Sequence, residues 1–112
     1  MNKVWVTQEV QLDFSGAEAF GEVQFLTHED LNNTKGSLHN EAVLADVSHK
    51  LRKFDPENDW IVIAGSPYIA AVTFLILGHR KIRSIRVLRW DNRDRVYRPM
   101  HMDLRQETIG VA

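Results

Sequence analysis

Residues 60–91 read WIVIAGSPYIAAVTFLILGHRKIRSIRVLRWD, and three segments of different periodicity follow one another in them. Trp60 to Ala64 is a continuous apolar run of strand length, which suits a central strand buried on both faces. In the turn Gly65-Ser66-Pro67, Ser66 is suited to cap a helix and Pro67 to stand at its first position. Tyr68 to Leu77 is apolar except for Tyr68 and Thr73, and Gly78 stands where a helix-closing glycine is expected. A helix apolar on nearly all sides has to be covered on two sides or form a subunit interface. After the basic exit His79-Arg80-Lys81, residues 84–90 alternate: Ile85, Val87 and Arg89 on one face, Arg86, Leu88 and Trp90 on the other. The strand–helix–strand unit has the length of a right-handed βαβ crossover, so its two strands are expected to be parallel.

Outward from this unit the pattern continues on both sides. Asp91-Asn92-Arg93-Asp94 is turn chemistry, and residues 95–102 (RVYRPMHM) return as a strand with Val96, Arg98, Met100 and Met102 opposed to Tyr97, Pro99 and His101. Pro99 lacks the ladder donor, which places this strand at an edge or a bulge. The last seven or so residues read as loosely held. Upstream, residues 3–12 alternate with Val4, Val6, Val10 and Leu12 on one side, and Glu22 to Thr27 is a second short strand with Val23 and Phe25 facing one way. Between them Ala17 to Phe20 forms at most a short turn or helix. Val43, Leu44, Val47, Leu51 and Phe54 recur at helical spacing over residues 40–53, and Asp55-Pro56 ends that helix. The order is β-β-α-β-α-β-β. It describes one α/β (α+β) domain over residues 1–112, with a single mixed sheet of about five strands and a C-terminal antiparallel hairpin.

The 112 residues contain no cysteine, which removes thiol nucleophiles, Cys-based zinc sites and disulfides and favours a reducing setting. No apolar run reaches the roughly 20 residues of a membrane span, and the Met-Asn-Lys start lacks an apolar signal segment, so a soluble, unprocessed protein away from membranes is expected. The formal net charge of −1 is a cancellation. Residues 1–59 hold 5 Lys/Arg against 11 Asp/Glu, whereas residues 79–105 hold 9 against 3. Charge asymmetry of this kind points to nucleic acid or to an oppositely charged partner, unless the two halves fold against each other.

Three places could carry chemistry. Gly65-Ser66-Pro67 opens a helix at the end of a central strand, where free N–H groups can bind an anion. It lacks G-x-G-x-x-G and a P-loop lysine, and Pro67 removes a donor, so the simpler reading is a cap that turns the chain. His28, His39, His49, His79 and His101 are scattered without metal-ligand spacing, and no nucleophile elbow surrounds any serine. Neither a cofactor, a metal nor catalysis is therefore expected. The best candidate is the basic hairpin. Arg80, Lys81, Arg83, Arg86, Arg89, Arg93, Arg95 and Arg98 are interleaved with Trp90 and Tyr97, the combination that single-stranded nucleic acid asks for, cations on the backbone and rings on the bases. Against this stands the reading of the two rings as core and of the arginines as solvated faces or partners of Asp91, Asp94 and Asp103. Arg86 and Arg98 are expected to sit across the hairpin, where like charges repel unless an anion intervenes.

The run Phe54-Asp55-Pro56-Glu57-Asn58-Asp59-Trp60-Ile61-Val62-Ile63-Ala64-Gly65-Ser66-Pro67, followed by Arg86-Val87-Leu88-Arg89-Trp90-Asp91 and Tyr97-Arg98-Pro99, resembles small uncharacterised proteins encoded by tailed bacteriophages. The resemblance covers residues 54–100. It implies a phage origin, a host-cytoplasm location, and structural roles for Gly65, Pro67, Trp90 and Asp91. The expectation is a phage accessory protein that binds single-stranded or non-specific nucleic acid through residues 80–98. The alternative is a protein-interaction or oligomerising module, a homo-oligomer without catalysis of its own, that modulates a host or phage enzyme.

Overall fold

The computed structural model describes residues 2–104. The C-terminal residues expected to be loosely held lie outside the described residues. Five strands form one sheet: β1 (Lys3–Val6), β2 (Glu22–Phe25), β3 (Trp60–Val62), β4 (Ser84–Asp91) and β5 (Val96–Asp103), in the order β2-β1-β3-β4-β5. The first four strands are parallel neighbours, and β5 runs antiparallel to β4. The βαβ unit and the terminal hairpin are thus as their periodicity predicts. The first two strands also pair, parallel to each other, because a 3-10 helix (Ser15–Phe20) carries the chain back between them.

The connections lie on both faces of the sheet. Helices α1 (Leu38–Leu51) and α2 (Pro67–His79) cover one face, where Trp5, Ile61 and Val87 meet Val43, Val47, Leu51, Ile69 and Leu77. The 3-10 segment covers part of the other, where Phe14 and Ala17 pack on Val4, Val6, Trp60, Val62 and Leu88. Alternate residues of β1 and β3 therefore both become core. Each fully buried Leu or Ile in these clusters contributes about 1.5–3 kcal/mol of burial free energy. Asp59 anchors the open end of β3. It is 3% exposed, and its carboxylate accepts from the Lys3 amide, the Trp5 indole N–H and the Asp55 amide at 2.9, 3.0 and 2.9 Å.

Several boundaries differ from the periodicity. β1 stops at Val6, where its neighbours end at Phe25 and Val62, and beyond it only single backbone bonds, from the Thr7 amide to the Val62 carbonyl and from the Glu9 amide to the Thr27 carbonyl, continue the pairing. Val10 is half-buried against the second cluster, while Leu12 is 65% exposed rather than core. Gly78 lies inside α2 and does not close it. The chain leaves the helix at Lys81, which takes the left-handed conformation at φ 63. The Lys81 amide bonds to the Gly78 carbonyl, the Ile82 amide to the Leu77 carbonyl, and Ile82 packs on the same core as Leu77. This is a Schellman closure with lysine where glycine is usual.

Candidate nucleic-acid interface

β4 and β5 pair over eight residue positions, whereas β3 meets β4 only at Ile61 and Val87. β3 ends one residue past that pair and β4 continues for four, so the upper hairpin stands beyond the sheet. Its two faces differ. Leu88 belongs to the cluster under the 3-10 segment and Val87 to the cluster under the helices, so period two places Arg86 and Trp90 with Leu88, and Arg89 with Val87. The cross-strand register adds Tyr97, Pro99 and His101 to the first face and Arg98, Met100 and Met102 to the second.

The first face carries the rings. Trp90 and Tyr97 are directly opposed, edge to face, with centroids 4.9 Å apart and an interplanar angle of 62°. Trp90 is 43% exposed, and Tyr97 is half-buried. Burial, and after it the charge of Asp13, pushes the Tyr97 phenol above its ordinary range. Lower on the same face the Arg86 guanidinium lies 4.0 Å from the centre of the Trp60 ring, and His101 meets that ring edge-on at 5.9 Å. Nε and Nη2 of Arg86 are buried without a hydrogen-bond partner among the described residues, so stacking on the indole is what holds this cation.

The basic residues do not form one stripe. Arg80 reaches back from the end of α2 to donate to the Leu51 carbonyl at the end of α1. Arg98 is clamped at the hairpin tip by Asp91 at 2.8 Å and Asp94 at 2.5 Å. Its guanidinium, with the Asp94 and Arg93 amides, holds the Asp91 carboxyl below the usual carboxylate range. The like-charge pair across the hairpin is Arg89 with Arg98, while Arg86 faces His101. The register lies three residues away from an Arg86–Arg98 alignment, so the like charges that meet are Arg89 and Arg98, and their repulsion is relieved at Arg98 by the two aspartates. Lys81, Arg83, Arg89, Arg93 and Arg95 are exposed and make no ion pair among the described residues. Trp60 and His101, which complete the ring-bearing face, were not singled out by sequence: an apolar run conceals a stacking role, and a lone histidine carries no spacing signal.

Gly65-Ser66-Pro67 is satisfied from within. The Ser66 hydroxyl caps the Tyr68 amide, and the Ser66 amide donates to Oε1 of Gln8 at 2.6 Å. The Gln8 Nε2 in turn donates to the Glu29 carbonyl at 2.9 Å. Beside this plugged turn a crevice of about 920 Å³ opens between the end of β3, the upper hairpin and residues 12–16. Among the described residues no cluster of three His, Asp or Glu side chains is placed to hold a metal, and no helix is long and apolar enough to cross a membrane.

Fold and face together define a small α/β protein with a doubly wound parallel sheet, order 2-1-3-4, and a ring-bearing antiparallel hairpin at its edge. The chain belongs to a bacteriophage family, the phage Pam3 gp32-like proteins, whose model matches residues 2–104. No curated protein and no solved structure matches it.

Proposed function

We propose that the protein is a phage accessory factor of the host cytoplasm that binds single-stranded nucleic acid, with little sequence preference, on the ring-bearing face of β4 and β5. The observation that carries this reading is the Trp90–Tyr97 pair, with Trp90 43% exposed at the upper end of the sheet face and the exposed His101 along the same strand as Tyr97. Sheet rings stack on unpaired bases, and stacking is tolerant of base identity. Lys81, Arg83, Arg93 and Arg95 surround the hairpin and supply backbone contacts. Spread around the hairpin, they favour non-specific attraction over base reading. Binding of labelled single- and double-stranded oligonucleotides at low and high salt tests the reading. Single strands are expected to bind, with log K falling against log salt by about 0.7 for each phosphate contacted. No binding at low salt overturns it.

A second reading, a protein-interaction or self-association module, is favoured by α2. Its Tyr68 is 67% and its Leu75 73% exposed, so one side of this apolar helix is left uncovered by the described residues.

A further inference from the structure

In a doubly wound sheet, ligands sit outside the carboxyl ends of the strands where the winding reverses. Here the reversal lies between β1 and β3, and that position is filled: the Gln8 side chain occupies it, so closely that a Cβ on Gly65 would stand 2.0 Å from Oε1. The open space is one strand over, where β3 ends and β4 continues. The crevice there, at about 920 Å³, is large enough for a small-molecule ligand.

Its chemistry narrows the ligand. One wall carries Phe14, Tyr97 and Trp90, a surface for a flat ring. Arg89 on the helix-side strand face and Arg95 at the hairpin tip also line it, and neither makes an ion pair among the described residues, in contrast to the neutralised Arg98. Arg95 is held at φ 57, a conformation that hairpin loops usually give to glycine or asparagine. A long cationic side chain thus stands at a backbone position that opposes it, at the mouth of the crevice. Asp13 lines the ring side, its carboxyl held low by the Ser15 hydroxyl and amide, and it can accept from an exocyclic amine but not face a phosphate.

We propose that this crevice binds one nucleoside monophosphate unit, its base against Tyr97 and Trp90 and its phosphate between Arg89 and Arg95. The unit is either a free nucleotide or the phosphorylated end of a strand. The second source rests on the nucleic-acid reading above; the first does not.

Trp5 and Trp60 are buried, so quenching of tryptophan fluorescence reports chiefly on Trp90. The full chain is titrated with AMP, dAMP, adenosine and inorganic phosphate, and with a short single strand bearing a 5′-phosphate, a 3′-phosphate or neither. AMP or dAMP is expected to bind at least about tenfold more tightly than adenosine or phosphate, and Arg89→Gln or Arg95→Asn to weaken it about tenfold with the melting temperature kept. Asparagine tolerates the left-handed conformation, so the second variant retains the fold. Preference for one phosphorylated end assigns the strand end, and equal binding of all three strands assigns the free nucleotide. Oligonucleotide binding without nucleotide binding overturns the crevice and leaves the interface standing. Nucleotide binding indifferent to both arginine variants also overturns it.

Discussion

Lys81 and Asp59 show how single residues hold this chain, and both are open to test. At φ 63 a lysine forgoes about 1–2 kcal/mol relative to ordinary backbone, of which glycine's extra unfolded-state entropy would return part. Lys81→Gly is therefore expected to stabilise the protein by a few tenths to about 1 kcal/mol in denaturant unfolding. Gly78 misled the reading of the helix end because glycine is a signal for left-handed backbone, and here the signal and the conformation are three residues apart. Asp59 works in the other direction. Its carboxylate serves two part-buried amides and a buried indole N–H at once, so Asp59→Ala leaves three donors without it and is expected to cost about 2–3 kcal/mol. Asp59→Asn keeps the volume and part of the acceptor capacity, and should lose less in the same unfolding measurement.

Two elements depend on such contacts for their geometry. The turn into α2 needs glycine at residue 65, where φ is 74 and a Cβ would collide with a Gln8 side chain bonded at both ends. Gly65→Ala is expected to destabilise by about 2 kcal/mol or more, since backbone strain and loss of the Gln8 bonds add. The hairpin tip depends on Asp91, whose carboxylate accepts from the Arg93 and Asp94 amides and from Arg98. Its carboxyl is depressed in the folded state, so its contribution is complete above the ordinary aspartate range near about 4 and is lost as pH falls through the lower folded value. Asp13 and Asp55 are depressed as well and add to the same acid loss. Melting followed from pH 5 downward should fall less steeply in Asp91→Asn, which has lost the titrating group already. The strands and helices themselves were legible, because apolar periodicity reports burial. The hairpin was legible but its register was not: the expected Arg86–Arg98 alignment is replaced by one that opposes Trp90 to Tyr97, because residues 92–95 form the turn and pairing begins at Asp91 and Val96. What periodicity could not show was the wall made by residues 12–16 or the approach of Gly16 to Tyr97, since these rest on tertiary packing across more than 80 positions with no repeat to mark it.

At the scale of the molecule, the basic segment does not act as one block of free cations. Arg98 is neutralised by its own hairpin, Arg80 ties the two helix ends together and Arg86 lies on an indole, while the remaining cations surround the hairpin. The apolar helix has a different fate. Sequence required it to be covered on two sides or to meet another subunit, and within this chain the sheet and α1 cover it while Leu75 stays 73% exposed. A charge at that largely exposed position gives up little buried apolar surface, so Leu75→Glu should change unfolding stability by no more than about 0.5 kcal/mol. If copies associate through α2, the same substitution buries a carboxylate against apolar surface and separates them. Light scattering across a concentration series is expected to show association in the natural protein and a monomer in Leu75→Glu. The oligonucleotide affinity of that variant should then be unchanged, because the ring-bearing face lies on the side of the sheet away from α2. Loss of both properties together would tie nucleic-acid binding to the assembled form, and an unchanged mass would place any self-association on a surface other than this helix.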